Sequence, residues 1–423
     1  MENGKYDIVI VGGGATGLSL AAFLSDLDLK ILLLESRQYP LPQYSVERSI
    51  ALNSISKLIL TELGCFSDLE NSTTPIKKVH VSKQGIFGTC KINSNDYNVD
   101  ALGYVVSLSK LENLLYNRAL ACDNVALVTA AKLEHIKQKD NYDLEYSIMD
   151  ELGAVNKNSV TTRFVIAADG TNSIVKKEFG ILTDRSKYKQ QALVANLQHS
   201  LSHENTAYER FTNDGAIAML PFGKNKSTMV ITCEEELANY LKNLSEEELK
   251  ENIQDKFGYR LGKFNVCSEV VSFPLAMQIS QKQYGHNYLL VGNAAHTLHP
   301  VAAQGFNLSL RDVKFFVDIL KVEIDSIKKD LVGEESKDNA KIFNEYLNIQ
   351  IVLEKYAEKT SSDQDKVIGF TDKLVKHVSG NKLPSLLNSA GLLAIDSLLF
   401  CKNKIANLGM GMHAMDSVLG DND

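Results

Sequence analysis

Apolar blocks ending abruptly in glycine set the rhythm of this chain. Residues 5–11 (KYDIVIV) are short, β-branched and almost continuously apolar, the pattern of a strand buried on both faces, and glycine follows at once. The next apolar stretch, to about Leu27, has helical character, and residues 30–35 (KILLLE) form a second buried strand that ends in an acid. A buried strand runs into a glycine turn twice more, at Arg163–Gly170 and at Leu289–Gly292. Elsewhere the pattern alternates, as in half-buried strands: Val79–Ser82, Phe87–Ile92, Gln191–Leu197, Gly215–Pro221 and Ser227–Thr232, with an acidic helix near Glu234–Lys256. Charges dominate 321–345, an amphipathic helix follows over 346–378, and 383–400 is strongly apolar but broken by Ser385, Asn388, Ser389, Asp396 and Ser397.

The first of the glycine turns carries chemistry. Gly12-Gly13-Gly14-Ala15-Thr16-Gly17 satisfies GxGxxG between a strand and a helix. Glycines permit the sharp turn and the approach of backbone to a pyrophosphate, and the helix N-terminus supplies free N–H groups and a positive dipole end. Glu35 closes the second strand, where a carboxylate can accept the hydroxyls of an adenosine ribose. The motif alone does not choose between NAD(P) and FAD; its position at the extreme N-terminus favours FAD.

Composition removes several alternatives. Of 423 residues 45 are basic and 52 acidic, a net charge of −7, which argues against binding nucleic acid through phosphate neutralisation. Cys65, Cys90, Cys122, Cys233, Cys267 and Cys401 are scattered with no CxxC pair, as expected for reduced thiols rather than a disulfide framework or a zinc knuckle. The first strand leaves no room for a signal peptide, and no apolar run reaches the roughly 18 residues of a membrane span, so a cytoplasmic location is expected.

The later turns extend the pattern: Arg163-Phe-Val-Ile-Ala-Ala-Asp169-Gly170-Thr-Asn-Ser173, then Gly292-Asn293-Ala-Ala-His296-Thr-Leu-His299-Pro300-Val-Ala-Ala303-Gln304-Gly305-Phe306-Asn307. Together with GxGxxG these strings resemble the aromatic-ring hydroxylases, flavoprotein monooxygenases of the p-hydroxybenzoate hydroxylase type. GNAAHTLHPVAAQGFNLSLRDV, with Arg48-Ser-Ile-Ala-Leu52 and Gly103-Tyr-Val-Val106, narrows the resemblance to the ubiquinone-biosynthesis hydroxylases, of the 2-polyprenyl-6-methoxyphenol hydroxylase type. It covers about residues 5–320.

The resemblance implies an α/β fold: a Rossmann-like FAD-binding domain, discontinuous over 1–75, 105–185 and 270–345, an inserted substrate-binding sheet domain over 76–104 and 186–269, and a helical C-terminal region over 346–423. It implies FAD as cofactor, NAD(P)H as reductant, O2 as co-substrate and hydroxylation of a lipophilic aromatic ring through a flavin hydroperoxide, with no metal and no assigned catalytic side chain. Gly12, Gly14, Gly17 and Glu35 would hold the ADP portion, Arg48 and Asp169 would lie near the pyrophosphate, and Gly292 and Asn293 near the ribityl chain. Pro300, Gly305, Phe306 and Asn307 would face the isoalloxazine. Phe222 and Phe273 are candidates for the substrate wall, with core packing as the simpler reading.

Several residues depart from the family pattern. Ala303 and Ser309 replace glycines, Lys176 stands where arginine is common, and Ser107 and Ser109 are the only polar residues near the expected phosphate contact after Val106. His296 and His299 lack a third ligand at suitable spacing, which favours loop hydrogen bonding over a metal. Segment 383–408 has three readings: a core-closing helix, a contact with a multienzyme complex, or a peripheral contact with the inner membrane. Alternatives for the whole chain are a hydroxylase of an unrelated soluble aromatic, and a flavin-binding accessory subunit without turnover.

Overall fold

A computed structural model describes residues 4–42, 47–149, 153–266, 268–299, 303–331, 338–379, 399–414 and 418. Pro300 and segment 383–398, both named above, lie outside the described residues.

The chain is α/β, and its described residues form three sheets. In the first, β1 (Gly4–Val11) lies parallel between β2 (Ile31–Leu34) and β11 (Val155–Ala167); β8 (Val125–Val128) continues beyond β2, and β19 (Tyr288–Leu290) beyond β11. The two-residue β18 (Tyr284–Gly285) closes that edge, and β9 (Ala131–Gln138) with β10 (Tyr142–Met149) adds an antiparallel hairpin to β11. The unbroken apolar run of β1 has a simple cause: both faces are covered. Ile8 and Ile10 pack under helices, and Val9 and Val11 pack towards the β9–β10 side. The helices are α1 (Ala15–Leu24), α2 (Ser54–Glu62), α3 (Phe66–Glu70), α4 (Leu108–Leu120) and α8 (Gly305–Asp330). The short α5 (Ile174–Glu178) follows β11.

A three-stranded antiparallel sheet, β3 (Ser49–Asn53), β7 (Gly103–Ser107) and β4 (Thr74–Ile76), lies at the seam with the third and largest. That nine-stranded sheet runs β20 (His296–Thr297), β17 (Val271–Ser280), β12 (Thr183–His199), β15 (Lys226–Glu234), β14 (Gly215–Phe222), β13 (Thr206–Thr212), β5 (Lys78–Lys83) and β6 (Thr89–Asn93), with β16 (Phe264–Val266) beside β12. One face is covered by α6 (Glu235–Lys242) and α7 (Glu246–Phe257). The single acidic helix expected over 234–256 is therefore two. Ser245 Oγ accepts the Glu248 N–H while Glu248 Oε2 accepts the Ser245 N–H, a reciprocal cap that starts a new helix.

After a single turn, α9 (Asn339–Lys341), the chain forms α10 (Ile349–Ser379), which packs on α8. Then α11 (Leu399–Met410) lays Ala406 and Met410 against Cys90, Ile92 and Leu102 at the β5–β6 end of the large sheet, and Tyr97 Oη donates to Asn403 Oδ1 at 3.1 Å.

Candidate functional site

Three glycine turns meet at the C-terminal ends of β1, β11 and β19, where an open parallel sheet offers its ligand crevice. At Gly12, φ is +103°, and a Cβ there would sit 2.5 Å from the Ala168 carbonyl carbon and oxygen. At Gly17 it would lie 1.9 Å from the Gly12 carbonyl oxygen. The protein's own backbone therefore demands both glycines. Gly14, at the N-terminus of α1, is different: the nearest atoms to a Cβ are the far ends of Glu112 and Arg37, at 3.5 and 3.8 Å. A Cβ on Gly305, first residue of α8, would have nothing within 4 Å among the described residues. These two positions are kept small without any backbone contact that requires it, as a ligand cradle would be.

Glu35 is buried at the end of β2. Its Oε2 accepts the Gly13 N–H at 2.6 Å, and its Oε1 accepts the Arg37 N–H and Nε at 2.7 and 3.0 Å. Arg37 bridges onward to Glu112 Oε2 at 3.0 Å, and Glu112 Oε1 accepts the Ala15 N–H at the start of α1. Tyr39 Oη donates to the Gly13 carbonyl at 2.8 Å. The Arg37 guanidinium is partly desolvated, which opposes its charge, but Glu112 and Glu35 outweigh this and raise its pKa further. Sequence reasoning missed Arg37 and Glu112. Arg37 offered only its place two residues after Glu35. Glu112 had no local signal, since it is 97 residues from the Ala15 it meets.

Asp169 sits beside Gly12 on the second turn. Its Oδ2 accepts the Ile174 N–H at 2.7 Å, capping α5, while its Oδ1 is buried with no hydrogen-bond partner among the described residues. Burial raises this carboxyl above its ordinary value, against the pull of Ser173 and the Val175 and Ile174 amides. Lys176 turns inward and donates to the Thr171 carbonyl at 3.2 Å. Thr171 and Thr297 share a 2.9 Å hydroxyl contact, and a Cβ on Gly292 would come within 3.0 Å of Thr16 Oγ1. The Asp-Gly turn, the Gly-Asn-Ala-Ala-His turn and the start of α1 thus form one surface. Asn293 is exposed there, its carbonyl accepting from Thr297 Oγ1.

Asn307 is fully engaged within the protein. Its Oδ1 accepts from the Asn53 N–H and Ser56 Oγ at 2.9 and 2.6 Å, and its Nδ2 donates to the carbonyls of Ala51 and Ala303 at 2.8 and 2.7 Å. With both lone pairs and both hydrogens used, the amide fastens β3 to the start of α8. Phe306 is half-buried against the helical core. Ala303 adopts φ +50°, a left-handed conformation natural to the glycine it replaces, and Ser309 Oγ turns back to the Gly305 carbonyl at 2.9 Å. Arg48 lies at the start of β3 with its guanidinium 4.8 Å from the Phe273 ring centroid. Its carbonyl accepts the Leu108 N–H, and Ser107 caps α4. Phe222 packs with Ala51 and Leu220 at the seam.

Behind this surface α8 is held by buried charges. Arg311 pairs with Asp363 of α10 through Nε at 2.7 Å and donates to the Asn307 carbonyl, and Asp363 also meets His413 Nε2 at 2.7 Å. Burial would raise the Asp363 carboxyl, but His413 and Arg311 together hold it down at about 2. His296 Nε2 pairs with Asp312 Oδ2 at 2.7 Å, both fully buried. Burial pushes His299 down to about 4.

Residues 5–330 match the protein family described as FAD binding domain. Among curated proteins, the chain is 29% identical to the ubiquinone hydroxylase UbiM of Neisseria meningitidis, over 90% of this chain and 79% of the relative. It is 25% identical to 3-demethoxyubiquinol 3-hydroxylase of Escherichia coli, over 97% of this chain and all of the relative (100%). Among solved structures, Pseudomonas aeruginosa PqsL, in complex with 2-aminobenzoylacetate, superposes with a TM-score of 0.72 at 17% identity, covering 92% of this chain and 99% of that one. That likeness establishes the shared fold.

Proposed function

The chain belongs to the FAD binding domain family, and from that premise we propose that it is an FAD-dependent, NAD(P)H-using monooxygenase that hydroxylates a lipophilic phenol of the ubiquinone type. The observation that carries the reading is the convergence of the Gly12–Gly17, Asp169 and Gly292 turns on one surface, joined to Gly305 through Asn307 and β3. The residues fit the cofactor. Gly14 and Gly305 leave room that no backbone contact explains, and Asp169 keeps a buried, unpartnered oxygen turned from its cap.

When bound, FAD supplies the redox chemistry, passing two electrons from NAD(P)H to O2 so that one oxygen atom enters the ring and the other leaves as water. The protein's tasks are holding, orienting and excluding water. Glu35 would take the adenosine ribose, and the N-terminus of α1 at Gly14 the pyrophosphate. Arg37 offsets the negative charge that Glu35 and Glu112 bring to this end. Arg48, Asp169, Gly292 and Asn293 would line the stretch between phosphate and ring. The N–H groups at the start of α8 would favour negative charge on a ring lying before them, because the 26-residue helix Gly305–Asp330 has its positive end there. Asn307 fixes that helix start rather than spending its amide on ligand.

The nine-stranded sheet would cover the ring and supply the substrate wall, with Phe222 and Phe273 at the seam. The relatives, a ubiquinone hydroxylase and a 3-demethoxyubiquinol 3-hydroxylase, support a prenylated phenol as substrate. Among the described residues no helix is long and apolar enough to cross a membrane. A peripheral membrane or multienzyme contact, if made by 383–408, falls mainly to 383–398, since Ala406 and Asn403 are engaged by the large sheet. The test is a strain lacking the gene together with purified protein. The expected result is accumulation of one under-hydroxylated quinone precursor, and NAD(P)H oxidation stimulated by that precursor. Bound FAD with no turnover on any quinone precursor would instead support an accessory subunit.

A further inference from the structure

The large sheet carries one feature that neither the family match nor the motifs assign. In β13, Tyr208 and Arg210 face α7: Tyr208 meets the Phe257 ring at 5.6 Å and Arg210 Nε donates to the Lys256 carbonyl at 2.7 Å. Strand alternation puts Ala207, Glu209 and Phe211 on the opposite face. That is the face turned to the cofactor surface, because Ala207 packs with Ile76, Val105 and Ala51, and the Ala51 carbonyl is held by Asn307.

Register then places Glu209 in an apolar row. Val194 pairs with Val230, Val230 with Ala218, Ala218 with Glu209, Glu209 with Val81, and Val81 with Cys90. Among the described residues no group hydrogen-bonds or ion-pairs with the Glu209 carboxyl. A carboxylate in mid-sheet with apolar neighbours on both sides is costly unless something else uses it.

We infer that Glu209 is a substrate-contacting catalytic residue, the carboxylate that accepts the phenol O–H of the ring to be hydroxylated and removes its proton. The inference rests on the hydroxylase reading above. The step balances without further reagents: the phenol O–H bond breaks, an O–H bond forms on Glu209, and the electron pair stays on the phenolate oxygen, activating the ring towards an electrophilic oxygen. Glu209 is half-buried, and desolvation pushes its carboxyl up to about 7, suited to taking a proton from a weak acid near neutrality. The other ionisable groups on this face are the Cys90 thiol at the row's end, Lys83 two residues beyond Val81, Lys226 and Glu234 at the two ends of β15, and Arg48 over the Phe273 ring, whose pair Ala192 lies on this face. β3, β4 and β7 contribute Ala51, Ile76 and Val105, and α11 contributes Ala406 and Met410, while His413 beyond it is engaged by Asp363. Lys91, His80 and Arg210 belong to the opposite face.

The experiment compares wild-type, E209Q and E209D holoenzymes. E209Q should keep its flavin spectrum and melting temperature, lose about a hundredfold in kcat with KM little changed, and lack the rise in activity expected of wild type as pH passes through about 7. E209D should recover part of the rate. Unchanged kcat and pH profile in E209Q would overturn the role of Glu209 while leaving the hydroxylase reading intact. A wild-type holoenzyme that forms no product would overturn that reading, and this inference with it. Should E209Q not fold, wild type can be titrated with a nitrophenol whose phenolate absorbs. Proton uptake by the protein with a midpoint near 7 on forming bound phenolate is expected, and binding without it refutes the assignment.

Discussion

The two ends of the proposed cofactor groove are built by opposite means. At the GxGxxG end, backbone meets backbone: Gly12 against Ala168 and Gly17 against the Gly12 carbonyl leave no space for a single carbon. At the α8 end the same residue type stands in open space, and order comes from side chains far apart in sequence: Asn307 on β3, Arg311 on Asp363, His413 on Asp363. A glycine's meaning is thus set by what its missing Cβ would touch. Gly12 and Gly17 serve the fold; at Gly305 no contact among the described residues requires glycine.

Substitutions can break this contrast. The largest effect is expected from Gly17→Ala, whose Cβ would fall 1.9 Å from a backbone oxygen. About 4 kcal/mol or more of stability should be lost, with flavin content, in a denaturant titration. Next is Asp363→Asn, which leaves Arg311 buried without its counter-charge and should cost about 3 kcal/mol. Because the Asp363 carboxyl is lowered from 3.8 to about 2, its contribution in wild type is fully present above pH 4 or so and fades as pH falls towards 2. Asp363→Asn should flatten that part of the acid-unfolding curve. Ala303→Gly removes a left-handed alanine at φ +50° and should raise stability by about 1 kcal/mol in thermal melts.

The smallest change in stability, and the sharpest contrast, is Gly305→Ala. With nothing within 4 Å the apoprotein should melt within about 0.5 kcal/mol of wild type, yet retain flavin less well. Equal flavin retention would show that the space before α8 is not the ligand's.

This contrast also decides what could be read from the sequence. The GxGxxG turn, Glu35 and the two later turns were legible because each is local: a strand, a glycine and a helix start within a few residues. Glu112, Asn307's bonds to Ala51, Asn53 and Ser56, and the Arg311–Asp363–His413 cluster were not, because each needs partners 50 to 256 residues away. Glu209 was illegible for a related reason. Nothing within β13 marks it, and only the register of six strands places it on the covered face among apolar neighbours. The acidic stretch 234–256 was read correctly as helical but as one helix, since a capping box is easily missed inside a run of glutamates.

The most direct test of the central claim is the fate of molecular oxygen. Purified holoenzyme, NAD(P)H and a prenylated phenol lacking one ring oxygen are incubated under isotopically heavy dioxygen, and the quinol product is weighed by mass spectrometry. A ring hydroxylase yields a product carrying a single heavy oxygen atom on the ring, and this is the expected result. Flavin-bound protein that consumes NAD(P)H and dioxygen while the phenol is recovered unchanged would contradict it.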